Sequence, residues 1–152
     1  MLMEPYKRTL PMKEEYTRHI YYYKNYYLDF FRRLNADVKE KFNWTFKLIA
    51  TIEIVPENYL KQIENTDELY EVRVEDGSDI YRVFCFFDNE KLIVLINGFR
   101  KRSKRTSIKE IEMAERIKKA YFYEKIRNKF LKNDKLQLTC KYMIIDMRFP
   151  GT

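Results

Sequence analysis

The stretch "LYEVRVEDGSDIYRVFCFFDNEKLIVLINGF" runs from Leu69 to Phe99, and its reading decides the fold. "LYEVRVE" (69–75) alternates, with Tyr70, Val72 and Val74 on one face and Glu71, Arg73 and Glu75 on the other, as a strand requires. "DGSD" (76–79) is a turn signal. "IYRVFCFF" (80–87) is apolar on both faces and reads as a central strand. "DNE" (88–90) turns the chain again, and "KLIVLINGF" (91–99) is a third strand, also apolar on both faces. Links this short make an antiparallel meander.

Upstream, "RHIYYY" (18–23) is β-rich and reads as a short first strand. From Tyr26 the period becomes helical: Tyr27, Phe31 and Leu34, then Val38, Phe42, Phe46 and Ile49. Asn35 interrupts the pattern as an N-cap. The spacing therefore predicts a helical hairpin, 24–34 then 36–53, closed before Pro56 because the residue preceding a proline avoids the α region. "PENYLKQI" (56–63) is expected as one short helix. Downstream, "SIKEIEMAERIKKAYFYEKI" (107–126) is a helix, with Ser107 and Glu110 spaced as a capping box and Ile111, Ala114, Ile117 and Tyr121 as its apolar stripe. "LQLTCKYMII" (136–145) has the composition of an extra strand. The expectation is an α+β, two-layer domain over 19–126, with helices on one side of a small twisted, mainly antiparallel sheet. An N-terminal arm (1–18) precedes it, and an extension (127–152) of no evident role follows.

The bulk numbers agree. A chain of 152 residues with 45% apolar and 35% charged residues suits one globular domain, and three Gly and four Pro argue against disorder. Neither "VFCFF" nor "LIVLI" approaches the ~18 residues of a membrane span. The N-terminus carries no secretory apolar region, although either Met1 or Met12 could be the start. Two cysteines provide no disulfide framework, so a reducing cytoplasm is expected. The formal net charge of +7 predicts acidic partners, of which nucleic acid is the commonest.

Candidate chemistry narrows quickly. His19 is the sole histidine, which removes histidine-based triads and leaves no ligand spacing for a metal. Cys85, within "VFCFF", reads as a small buried hydrophobe. With no P-loop or Gly-rich strand–helix turn, no nucleotide cofactor is expected. Gly98 reads as a bend out of the third strand. The tyrosine-rich stretch 16–31 follows the periods of its elements, so packing explains it more simply than base stacking. The segment 97–109 carries Arg100, Lys101, Arg102, Lys104, Arg105 and Lys109 and no acid. It is either a solvated loop or a phosphate contact. Its place after an inner strand and before a helix N-terminus, and its arginines, favour anions. Within the strands, Arg73 shares its face with Glu71 and Glu75, so an ion pair is the simple reading. Arg82 shares its face with Ile80, Phe84 and Phe86, and must find a carboxylate or an anionic ligand. In a meander Arg82 neighbours Arg73 or Glu71. These arginines and the cations after Phe99 could line one concave face that grips an RNA backbone.

The order of Leu69, Tyr70, Glu71 and Arg73, then Tyr81, Arg82 and Phe84, then Gly98, Phe99, Lys101, Arg102, Arg105 and Thr106, then Glu110, Ile111, Ala114 and Tyr121 resembles the HigB-like, phage-derived branch of the RelE toxin superfamily. "YKNYYLDFFRRLNADVKEKF" resembles that family's helical hairpin. The family usually has lysine where Arg102 and Arg105 stand, and Pro where Ser107 stands. The resemblance implies a RelE-like fold and a toxin of a type II toxin–antitoxin pair. Such a toxin would cleave mRNA on the ribosome by attack of a ribose 2′-OH on the adjacent phosphate, and a small helix-turn-helix antitoxin would neutralise it. It would need no cofactor or metal, and no membrane. Under that implication Arg73, Arg82 and Lys101 are the candidate catalytic residues, Lys101 being lowered in pKa by Arg100 and Arg102 beside it. Arg102, Lys104 and Arg105 would hold RNA. The alternative is a non-catalytic, toxin-like protein that binds an antitoxin or RNA. A DNA-binding domain is weaker, because the basic segment is not on a clear recognition helix.

Overall fold

"IYRVFCFF" lies within a strand, β4, that spans Asp79–Asn89 and is buried on both faces from Tyr81 to Phe86. In this computed structural model, residues 16–102 and 107–131 are described in full, and 140–143 by their backbone alone. The chain order is β1 (His19–Tyr23), α1 (Tyr26–Arg32), α2 (Ala36–Thr51), β2 (Leu60–Gln62), β3 (Tyr70–Asp76), β4, β5 (Leu92–Lys101), α3 (Ile108–Leu131) and β6 (Cys140–Met143). The sheet order is β2-β3-β4-β5-β1-β6. β3, β4 and β5 form the expected antiparallel meander. Gly77, at φ +60°, takes the first central position of the β3–β4 turn, a conformation open to glycine at little cost. β1 adds to β5 in parallel, from His19 opposite Leu92 to Tyr22 opposite Leu95. β6 then pairs antiparallel with β1.

The helical hairpin forms as its period requires. Asn35 caps α2, its Oδ1 accepting the Val38 N–H at 2.9 Å. Val38, Phe42, Phe46 and Ile49 are fully or almost fully buried. They meet Ile20 and Tyr22 of β1, Val72 and Val74 of β3, Val83 and Cys85 of β4, and Ile93 and Leu95 of β5. Tyr22, Tyr27 and Phe30 belong to this core and Tyr23 to the one opposite, so these four aromatics of 16–31 are packing residues.

Three expectations need correction. The sheet is covered on both faces, not one. Ala114, Ile117 and Tyr121 of α3 pack on Phe84 and Phe86 of β4 and on Val94 and Ile96 of β5, the residues that alternate with those under the hairpin. A strand apolar on both faces needs a layer on each, and β4 and β5 are both such strands. Asp88 fixes the far end of α3: it accepts the Tyr121 hydroxyl at 2.7 Å and the Lys125 ammonium at 2.6 Å.

The short helix expected over 56–63 is instead one turn followed by a strand. Tyr59 and Leu60 N–H groups both donate to the Pro56 carbonyl, closing a single helical turn. Leu60–Gln62 then pair with Val72–Tyr70, because the outer edge of β3 has unpaired backbone groups to satisfy.

Gly98 does not end β5, which continues to Lys101. Its role is space. A Cβ there would lie 2.4 Å from Cδ1 of Phe30, so the missing side chain is what lets α1 lie on β5. Gly98→Ala should therefore lower stability by about 1–3 kcal/mol, measured by chemical denaturation. In the Gly98→Ala background, Phe30→Leu should be less destabilising than in the wild type. Equal costs in both backgrounds would show that the ring is not what the methyl meets.

Candidate functional site

One residue of β5 is out of step, and the site depends on it. Val83 pairs with Gly98, yet Cys85 pairs with Leu95, so β5 uses one more residue than β4 across this interval. Ile96 and Asn97 together stand opposite Phe84, which makes a β-bulge. Ile96 is buried under α3. The Asn97 Nδ2 donates toward Glu110 of α3, to its carbonyl at 3.4 Å and to Oε2 at 3.5 Å. Glu110, expected in a capping box, thus joins the first turn of α3 to the bulge. Beyond the bulge the alternation is reversed. Phe99 comes opposite Arg82, and Lys101 opposite Ile80. Strict alternation from Leu95 would have turned both toward the hairpin.

The register brings the rest of the site to the same face. Lys61 lies opposite Glu71, Glu71 opposite Phe84, and Arg73 opposite Arg82. Lys61, Arg73, Arg82 and Lys101 therefore surround Glu71 on the part of the α3 face that β3 and the end of β5 supply, with exposed Glu75 at its rim. Arg82 is 1% exposed and Glu71 7%, whereas Arg73 and Lys101 are half-buried. Glu71 Oε1 is 3.5 Å from Arg73 Nε and 3.6 Å from Arg82 Nε. Arg82 Nη1 donates to the Tyr81 carbonyl at 3.0 Å. Glu71 Oε2, Arg73 Nε and Arg82 Nε are buried without a hydrogen-bond partner. Each such group costs a fold about 1–3 kcal/mol, so the cluster is poorly designed as a stabilising lock. It keeps donors and an acceptor uncommitted.

Burial and the neighbouring Arg73 lower the Arg82 pKa, and Glu71 and Glu75 act against this. The Lys101 ammonium is also held below the ordinary lysine value, first by burial and then by Arg82, with Arg73 and Lys61 adding to it and Glu71 opposing. The cause expected from sequence, Arg100 and Arg102 beside it, gives way to cations across the sheet. Arg100 points to the opposite face, opposite Tyr81, and is ion-paired with Asp79. Arg102 is exposed, one residue past β5. Lys104 and Arg105 lie outside the described residues. Arg73, Arg82 and Lys101, read as a group from sequence, do share one face.

Lys61 was the residue missed, and Glu71 was read only as an ion-pair neighbour of the arginines. The carboxylate demanded by Arg82 was legible, but not that one carboxylate would serve two arginines. Lys61 was hidden inside the supposed short helix. The buried Cys85 thiol is pushed up by burial, the opposite of an activated nucleophile. Among the described residues no group of three His, Cys, Asp or Glu side chains could hold a metal ion. Nor is any described helix long and apolar enough to cross a membrane.

A family model described as "Phage derived protein Gp49-like (DUF891)" matches residues 29–119, which include α2 and every residue of the site. No curated protein matches the chain.

The charges around Lys101 make opposite predictions for its titration. Lys61→Gln removes a cation that lowers the pKa, so the Lys101 pKa should rise. Glu71→Gln removes the charge that raises it, so the pKa should fall further. NMR titration of labelled lysine side chains checks both signs. Because the folded chain holds this proton less tightly than an unfolded lysine does, the contribution of Lys101 to stability rises as pH increases through the lowered folded value toward the ordinary one.

Proposed function

The chain belongs to the phage-derived Gp49-like family, which stands in the context of RelE/ParE-like toxins, and on that premise we propose that it is an endoribonuclease toxin of the HigB-like branch. Its partner would be a small helix-turn-helix antitoxin, and its substrate messenger RNA on the ribosome. The observation that carries this reading is the assembly of Arg73, Arg82 and Lys101 around Glu71 on one sheet face, with polar atoms left uncommitted.

The chemistry follows from what those side chains can do. A ribose 2′-OH attacks the adjacent phosphate, forming a 2′,3′-cyclic phosphate and expelling a 5′-OH. Attack needs a proton acceptor, and departure needs a proton donor. Lys101, whose pKa is lowered by burial and by Arg82, gives up its proton more readily than an ordinary lysine and is the group placed to exchange one. Arg73, half-buried, offers a guanidinium to the phosphate as negative charge develops. Arg82 is too deeply buried to reach a phosphate in this conformation. It acts from beneath, lowering Lys101 and orienting Glu71. Arg102, Lys104 and Arg105 hold the RNA backbone.

A second reading rests on that same burial of Arg82. If the cluster only holds three strands together, the protein is a non-catalytic partner of an antitoxin or of RNA. Turnover separates the two. Expression of the wild type without antitoxin should arrest growth, and primer extension should reveal new 5′ ends in translated messages. Lys101→Gln should leave the fold intact and reduce cleavage by about 10²-fold or more. Arg82→Ala is expected to lose activity, but it also removes the more deeply buried of the two arginine partners of Glu71, a loss of up to about 3–5 kcal/mol. Arg82→Ala combined with Glu71→Gln should recover stability without recovering arrest. A wild type that neither arrests growth nor cleaves messages would leave only the binding reading.

A further inference from the structure

Trp44 is the chain's single tryptophan, and 55% of its surface is exposed. The core makes no use of most of it, since α2 buries Val38, Phe42, Phe46 and Ile49 instead. Trp44 is nevertheless held in place. Its ring meets that of Tyr59 edge-to-face, with centroids 5.6 Å apart. Tyr59 is in turn tied to the candidate site. Its carbonyl accepts the Arg73 N–H at 2.9 Å, which extends the β2–β3 pairing by one residue. Arg73 Nη1 also reaches the Glu57 carbonyl at 3.4 Å, so the guanidinium leans toward this same corner. One turn earlier on α2, Lys41 donates to Asp76 at 2.9 Å and to the Glu75 carbonyl at 3.2 Å, which aligns this side of the helix with β3.

We propose that Trp44, braced edge-to-face by Tyr59 at the β2 edge of the sheet, is a stacking platform for one unpaired RNA base on the hairpin side, the strand passing round that edge to Arg73 and the cations of the α3 face. The substrate class rests on the ribonuclease reading above. The platform rests on separate observations: a fixed, exposed indole, anchored one strand step from Arg73. Phosphates and bases alternate along a single strand, so a cationic face that takes phosphate needs an aromatic surface at its edge if it is to fix the base as well. Lys61, Arg73 and Lys101 supply the first, and Trp44 with Tyr59 the second. A double helix, with its bases already stacked, has nothing to offer this platform. The occupant is therefore single-stranded.

Because Trp44 is the only tryptophan, its own emission reports the contact. The probe is a short single-stranded 2′-O-methyl RNA, which lacks the attacking hydroxyl and is not cleaved. It should quench Trp44 emission. The same backbone without bases should bind without quenching. By fluorescence anisotropy, Trp44→Leu should bind the oligonucleotide about tenfold more weakly, and Trp44→Phe should retain most of the affinity. Binding with unchanged emission and unchanged Trp44→Leu affinity would overturn the platform while leaving the ribonuclease reading intact. So would equal quenching by the abasic backbone, or no binding at all. Quenching by the oligonucleotide from a protein that neither arrests growth nor cleaves messages would sustain the platform and sink the ribonuclease.

Discussion

Arg82 stands on the central strand with 1% of its surface exposed, and a guanidinium so placed must be compensated by groups next to it. Glu71, one strand away, supplies the charge. Its own burial is then tolerable only because Arg73 approaches from the same strand. The three groups determine one another. None reaches good hydrogen-bond geometry through its Nε or second oxygen, so the pairing neutralises charge without exhausting the donors. An apolar trio of similar volume would be expected to stabilise the sheet as well or better. A charged cluster kept under those terms is more readily understood as a chemical site than as a means of holding the fold together.

The bulge at Ile96 and Asn97 is the second constraint, and it links the cluster to the rest of the molecule. It adds one residue to β5, gives α3 a polar attachment through Glu110, and turns Phe99 and Lys101 toward Arg82. Gly98 follows at once, where the Phe30 ring of α1 leaves no room for a Cβ. Three adjacent positions thus serve three neighbours: Ile96 the core under α3, Asn97 the first turn of α3, and Gly98 the hairpin on the other face. Lys101 inherits its surroundings from this arrangement. The lowering of its pKa comes from burial and from charges on β2, β3 and β4, none of which is near it in sequence.

The correspondence between sequence and structure differs element by element, for physical reasons. The meander was legible because alternation and turn residues are local properties: Tyr70, Val72 and Val74 repeat every second position, and Gly77 takes a backbone angle that glycine favours. The hairpin was legible because a helical stripe and an Asn35 cap are local too. β2 was not, because three residues are too few to show a period. What made Leu60–Gln62 a strand was the open edge of β3, eight to twelve positions away in chain order. The second helical layer could have been read from the two-faced strands β4 and β5, whose apolar residues call for cover on both sides. Within the site, the charges were legible and their geometry was not. Arg73, Arg82 and Lys101 were named as a group, but the depth of Arg82, the shared carboxylate of Glu71 and the part played by Lys61 all depend on register.

By itself, then, the sequence determined where the strands and helices form, β2 excepted, which face of each is apolar, and that Arg82 would require an anionic neighbour. These follow from the chemistry of residues within a few positions of one another. Tertiary structure decided the strand order, the parallel addition of β1 to β5, the placing of α3 opposite the hairpin, and the face on which Lys101 emerges. Such choices depend on pairing between distant segments. There, a single inserted residue reverses every side chain that follows, and no local period records it.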